Sequence, residues 1–449
     1  MTAPSTRPRL FPLTWPLLLE LLLGIGIGII GTALAARLSD DSGAAFGLAN
    51  QVFAAIFVLF RVIGAGVSVS VTQALGAGRR DQADAVARAV VGASAWLGIG
   101  GALMALVAAG PLLNLVNAPP EVAPLARTLL QALAPALLID ALNATMSSVM
   151  RAHLRSREAL AVVIVIQVVT LTVAVLAMPH LGLLGYALAC LCGRGTGLAL
   201  HIVLWRSRLN LHLKAADWWR WERAPLATVL HIGIPGAAEN ISWRLAFMIS
   251  LAAVAQLGAL ALATHAYTMQ FLHLILMFGL AISFAVEILV GHMIGAGALH
   301  AAHRLVRKSM VLGLIVAIVV SGSFALAGPW LLRQFTSDPR IIELGCTLLW
   351  WTMLVEPGRI FNLVVINALR AAGDARYPVI AGSASMAIVL AGGSWFLGVY
   401  LGWGLVGVWI AYAADEWIRG LLMWRRWATL GWLPHARAAH RRLRHAKAG

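Results

Sequence analysis

The sequence predicts an all-α polytopic membrane protein, with about twelve transmembrane helices in two parallel-repeat six-helix bundles. Three observations predict it. First, 60% of the 449 residues are hydrophobic, only 12% are charged, and mean hydropathy is +0.84; a soluble domain carries roughly 25% charge. Second, apolar segments of roughly 20 residues or more, the length that crosses a bilayer, recur from end to end. Third, marked residues return at a constant offset of 219. The long segments predict helices, which satisfy their own backbone in lipid, and the short alternating segments of a β-barrel are missing.

The first half takes segments near 13–36, 46–73, 87–115, 122–151, 158–179 and 182–205. The second takes those near 226–255, 261–293, 306–332, 341–369, 377–399 and 402–424. Segment one opens with Pro16 and Glu20, and segment seven repeats the phrase as Pro235 and Glu239 (235 − 16 and 239 − 20 both give 219). At the same offset Gln51 meets Gln270, Gly76-Ala77-Gly78 meets Gly295-Ala296-Gly297, Arg88 meets Arg307, Asn143 meets Asn362, Arg151 meets Arg370 and Arg157 meets Arg376. A gap-free register over so many marked residues reads as a duplication. Later it slips by three, so that Gly182-Leu183-Leu184-Gly185 resembles Gly404-Leu405-Val406-Gly407. Six spans return the chain to one side, so the copies are parallel, with a substrate path expected between the halves near the midplane. The predicted organisation is a bundle at 1–205, a cytoplasmic linker at 206–225, a second bundle at 226–424 and a basic cytoplasmic tail at 425–449.

The formal net charge is +16. In a soluble protein that would suggest nucleic acid. Here the basic residues gather in alternate loops: Arg79 and Arg80; Arg151, Arg155 and Arg157; the linker from Arg206 to Arg223; Arg304, Arg307 and Lys308; Arg370 and Arg376; and the tail from Arg425. The other loops carry Asp40, Asp41, Glu121 and Asp338. This positive-inside bias predicts a multi-pass inner-membrane protein with both termini cytoplasmic. It also makes anionic membrane lipids the partners of the linker and tail, with no nucleic acid. Cys190, Cys192 and Cys346 lie in apolar segments and read as inert core residues. The first segment is too long for a cleavable signal and is expected to stay as a helix.

A charge inside an apolar span is costly and marks function by default. Glu239 stands one turn after Pro235, and Glu20 is its repeat mate. Burial raises a carboxylate's pKa, so such a group can exchange protons near neutral pH. In span ten Glu356, Arg359 and Asn362 are spaced by three and share a face, while Pro357 loosens the local hydrogen bonding. Glu356 and Arg359 read equally as a structural pair or a coupling switch. In span four Asp140 and Asn143 share a face, and Arg61 of span two is expected to pair with Asp140 or Glu20. Gln51, Gln270, Asn143, Asn362 and Arg244 are candidates for a substrate cavity, and the four repeat-matched amides serve equally to bond helix to helix. Arg194, Glu287, Asp415, Glu416 and Arg419 read as interfacial or paired. No metal site is expected, because His265, His273 and His292 lack ligand spacing.

The six-plus-six duplication, the Gly-Ala-Gly loop before an Arg-bearing helix, the opening prolines of spans one and seven, and LRAAGDARYP at the end of span ten form a set. Together they resemble the multidrug and toxic compound extrusion (MATE) family, within the MOP flippase superfamily, over roughly residues 10–425. A major-facilitator transporter also has two parallel six-span halves, but its Gly/Asp/Arg pattern after span two is not found. The resemblance implies a V-shaped pair of bundles. It implies a secondary active antiporter that exports amphipathic or cationic organic compounds in exchange for H⁺ or Na⁺, with no other cofactor. Ion coupling is then expected at Glu239, Glu356, Glu20 and Asp140, and charge pairing at Arg61 and Arg359. Three of the family's acids fall elsewhere here. The one further along helix one falls on Gly31, the one in helix seven on Trp243, and the one eleven residues before Arg370 on Arg359. The same subtraction from Arg151 lands on Asp140.

The runner-up is a lipid-linked oligosaccharide flippase of the same superfamily, which would favour a strongly cationic cavity. A membrane-embedded enzyme would need a catalytic carboxylate or metal cluster on its loops, and the outer loops are too short and too poor for one. A purely structural scaffold would not need acids in mid-membrane. A monomeric transporter that is not an enzyme is the expectation.

Overall fold

The computed structural model describes residues 10–115 and 118–445, without the side chains of 57–59, 61–63, 65, 115, 444 and 445. Among these residues every regular element is helical. In order they are α1 (Leu10–Ala36), α2 (Asp40–Gly76), α3 (Arg80–Val107), α4 (Ala109–Leu115), α5 (Ala123–Ala152), α6 (Ser156–Leu181) and α7 (Leu183–Arg208). A 3₁₀ turn at Ala215–Trp218 leads to α8 (Arg223–Gln256), α9 (Ala259–Gly295), α10 (Leu299–Leu326), α11 (Gly328–Leu332) and α12 (Pro339–Ala371). The chain ends in α13 (Arg376–Tyr400), α14 (Gly404–Ala428) and α15 (Leu433–His445).

Each expected span has one long helix. Among the described residues, nine helices are long and apolar enough to cross a membrane. The other three, α2, α8 and α14, are 37, 34 and 25 residues long and carry charges within the helix. Two spans are shorter than the apolar segments predicted. Segment three breaks at Ala108, just before α4, and segment nine breaks at Ala327, just before α11. Both breaks fall at Ala-Gly-Pro, at Pro111 and Pro329. Proline has no N–H to continue the ladder and is tolerated only in the first turn of a new helix.

The slip in the repeat has a visible cause. Gly182 and Gly404 both have positive φ, of +58° and +60°. A side chain is strained at such an angle, so both positions favour glycine. One residue separates α6 from α7, but Leu401, Gly402 and Trp403 precede Gly404. The insertion thus lies in a loop, and helix faces beyond it correspond at an offset of 222.

The chain forms two compact units. The first comprises Leu19–Leu75 and Arg79–Ile234; the second is built on the chain from Pro235 onward, with the first turns of α1 up to Leu18 and Gly76–Gly78. In the first unit α5 is central, with α3 and α7 against it and α6 against α7. Its core joins Phe46, Val52, Leu130, Leu137 and Cys190. After α7, the linker folds onto α3: Trp96 Nε1 donates to Trp219 O at 3.0 Å, and Arg80 donates to Leu209 O. In the second unit α12 is central, with α9, α10 and α14 around it. Met386–Gly392 and Ser394–Tyr400 of α13 take the wider π pitch, and Ser394 there joins Ser250 and Tyr412 through the Ser250 hydroxyl. The expected tail at 425–449 is helical as far as His445. Its α15 lies on α9, with Trp432 stacked on Trp427 at 4.3 Å and His440 Nδ1 2.8 Å from Gly295 O.

Candidate functional site

Long helices hold charges in mid-span only when those charges are neutralised locally, so each predicted residue can be followed to its partner. In the first unit Glu20 on α1 accepts from Arg151 Nη1 on α5 at 2.6 Å, and the same nitrogen donates to Ser147 at 2.9 Å. Asp140 on α5 pairs with Arg194 on α7, also at 2.6 Å. The Arg194 guanidinium lies 5.3 Å from the centre of the Phe53 ring. Asn143, one turn after Asp140, donates to Arg194 O at 2.9 Å and meets His201 at 3.0 Å. Among the described residues Asp140 and Glu20 each have an arginine on a neighbouring helix, Arg194 and Arg151. The Arg61 side chain itself lies outside the described residues.

The second unit repeats the first contact. Glu239 on α8 accepts from Arg370 Nη2 on α12 at 2.5 Å. Both members are shifted by 219 from Glu20 and Arg151, so the duplication conserves an ion pair as a unit.

Around it the second unit builds a network. Arg359 Nη1 donates to Glu356 Oε1 at 2.6 Å, one turn back on α12. Its Nε donates to Glu416 Oε1 on α14 at 3.1 Å. Arg419 bridges Asp415 at 2.6 Å and Glu416 at 2.9 Å. Asn362 Nδ2 donates to Glu416 Oε2 at 3.0 Å, and Ser385 of α13 donates to Asp415 Oδ1 at 2.7 Å. Glu356 and Asn362 are fully buried. The close approach of α14 needs Gly420, whose added Cβ would lie 2.4 Å from Phe361. The network contains three carboxylates and two guanidiniums. Five of its six carboxylate oxygens accept hydrogen bonds; Glu356 Oε2 has no partner, and neither does Asn362 Oδ1.

Asp140–Arg194 has a counterpart here. Position 140 corresponds to 359 at offset 219, and 194 corresponds to 416 at offset 222, beyond the loop insertion. The acid–arginine pair of one half is an arginine–glutamate pair in the other, with the signs exchanged.

The remaining predictions resolve residue by residue. Asn143 and Asn362 are buried helix-to-helix bonds. Gln51, Gln270 and Arg244 are exposed. Gly31 packs against Phe46, where an added Cβ would lie 2.7 Å from the ring. Trp243 stacks on Phe247 at 5.2 Å, so an aromatic wall stands where the family resemblance led to an acid being expected in helix seven. Among the described residues no group of His, Cys, Asp or Glu is arranged to hold a metal. Sequence reasoning missed Glu416 and Arg419 as members of the site. Matching like residues at a fixed offset hid them, because the sign of the pair inverts and the register slips. The equal spacing of Glu20 to Arg151 and Glu239 to Arg370 is the sequence signal of the repeated ion pair.

A duplicated bundle of long apolar helices with charges paired inside it is the construction of a polytopic membrane transporter. The MatE family pattern matches residues 16–176 and 235–395, two stretches that begin and end 219 apart (235 − 16 and 395 − 176). The chain therefore belongs to the MatE family. It is 34% identical over 430 residues to an uncharacterized transporter, YisQ, of Bacillus subtilis, covering 94% of each chain. It is 30% identical over 429 residues to a probable multidrug resistance protein, NorM, of Bradyrhizobium diazoefficiens, covering 91% of each. Its fold matches an outward-facing multidrug resistance MATE family transporter of the MOP superfamily with a TM-score of 0.86, at 18% identity, over 96% of this chain and 99% of that one.

Proposed function

We propose that the chain is a secondary active efflux antiporter, exporting amphipathic or cationic organic compounds in exchange for H⁺ or Na⁺ by alternating access. One observation carries this reading: the buried network around Arg359 has one carboxylate more than it has guanidiniums. An uncompensated charge away from water is costly, so the network is stabilised by taking up one positive charge. A coupling ion and an organic cation would compete for that charge. Competition supplies the difference in affinity between states that exchange requires. The NorM relatives, named for multidrug resistance, support the substrate class.

The lipid-linked oligosaccharide reading wants free cations for a pyrophosphate. Arg151, Arg194, Arg359, Arg370 and Arg419 are each held by a carboxylate, which favours the antiporter. The basic loops favour the inner membrane with both termini inside, and contact with anionic lipid. The same reading takes the chain as a monomer without a cofactor.

The test is ethidium export from proteoliposomes under an imposed pH gradient or Na⁺ gradient. Wild type should export under one of them, and Glu356→Gln and Glu239→Gln should each lose that dependence. Ethidium that ignores both gradients in wild type would end the drug-export reading and turn attention to lipid-linked substrates.

A further inference from the structure

The two halves carry one brace with opposite polarity. In the first, Asp140 and Arg194 balance one to one. In the second, Arg359 is shared between Glu356 and Glu416, and Arg419 between Glu416 and Asp415. Glu416 is therefore doubly held, and Glu356 is the acid left over.

The space for a neutralising ion is narrow. Glu356 Oε1 faces Arg359, both Asp415 oxygens are filled by Ser385 and Arg419, and both Glu416 oxygens are filled by Asn362 and the two arginines. A hard metal cation gathers several oxygens in place of its hydration shell. Glu356 Oε2 and Asn362 Oδ1 are the network's unpartnered acceptors, and the Arg359 guanidinium already occupies the other Glu356 oxygen. A proton needs one oxygen and brings no shell.

We propose that the excess charge is met by a proton on Glu356 Oε2 and not by a sodium ion, and that Glu416 is the positioning residue that sets this choice by holding Arg359. The role in transport rests on the antiport reading; the site does not.

Other charges face the network from each neighbouring helix. His273 of α9 and Tyr412 of α14 interact electrostatically with Arg359, and Glu239 of α8 interacts with Arg419 while bound to Arg370. From α13 comes the Ser385 hydroxyl. From α10 the contact is apolar, with Gly313 against Ile360 and Val364. None of these supplies a third arginine to the acids, so the excess stays on Glu356.

The experiment is an infrared titration of the purified full-length protein in detergent, which needs no substrate. A protonated-carboxyl band should vanish as pH rises in wild type, be missing in Glu356→Gln, and keep its midpoint when Na⁺ replaces choline. Glu416→Gln leaves two acids to two arginines and should move the midpoint to lower pH by about one unit or more, the scale of a neighbouring-charge effect. Arg359→Gln leaves three acids to one arginine and should move it the other way, and Glu416→Asp should restore the wild-type value. A midpoint that follows Na⁺ overturns the choice of ion. Midpoints unmoved in both Glu416→Gln and Arg359→Gln overturn the role of Glu416, and either variant alone suffices if the other does not fold. A normal titration with no gradient-driven export would sink the antiport reading and leave the site standing.

Discussion

Glu239 and Arg370 are joined across α8 and α12 at 2.5 Å, and 131 residues separate them, as they separate Glu20 from Arg151. The contact is short, charge-assisted and set where only about one seventh of either side chain is exposed. It ties the helix that opens the second half to the centre of its bundle.

Removing one member leaves the other charged and poorly solvated. Glu239→Gln or Arg370→Gln should therefore destabilise the protein by about 3 kcal/mol, the lower end for breaking a buried pair. The double variant should recover most of that loss. Thermal unfolding of the four proteins in one detergent measures the coupling directly. Independent, additive losses would mean that the two residues do not stabilise each other.

At Gly31 the prediction concerns the first-helix acid that the family resemblance implies and this chain lacks. Gly31→Asp puts a Cβ 2.7 Å from the Phe46 ring and 3.2 Å from Tyr186. Phe46 is itself 2% exposed and packed edge-on against Tyr186 at 4.7 Å, so it has no room to yield. Overpacking of this kind costs about 1–3 kcal/mol before the charge is counted. The melting temperature should fall in Gly31→Asp and recover partly in Gly31→Asp with Phe46→Ala. Improved ion coupling without any loss of stability would refute the packing argument.

A third test addresses the C-terminal helix. Trp432 covers Trp427 and donates to Trp427 O at 3.0 Å, while Arg426 is held by Asp374 at 2.8 Å. Trp432→Ala removes the stack that fastens α15. Trypsin should then cut after Arg425 and Arg426 faster than in wild type, with little change in ethidium export. Unchanged cleavage would mean that α15 is held by its other contacts, such as His440 to Gly295.

Much of this was legible before the fold. Apolar length pointed to the spans, because a bilayer imposes a minimum length on every crossing helix. The constant offset gave the duplication, and it survived because ion pairs and helix ends constrain both copies alike. The ends of spans three and nine were not legible, since hydropathy does not register the helix break that Pro111 and Pro329 impose. Nor was the partner of Asp140. Spacing along one helix finds neighbours such as Glu356 and Arg359, but pairs between helices, such as Asp140 with Arg194, depend on packing. The charge network also needed α14, whose Asp415, Glu416 and Arg419 read as interfacial or paired, while the packing that brings Arg359 of α12 onto Glu416 lies beyond the sequence.

The reversed polarity of the two braces also bears on how such a chain can change over generations. In the first half, neutralising either Asp140 or Arg194 strands the other, so a sign reversal there must alter both residues together. In the second half, a lineage with Arg359 but a neutral residue at 416 would still have Glu356 one turn away. Neutralising 359 first would instead strand the buried Glu356, so the open step is the one at 416. That step leaves every arginine with an acid. The surplus carboxylate thus opens a mutational route in one copy that is closed in the other, and the two halves of the duplication are free to diverge at different rates.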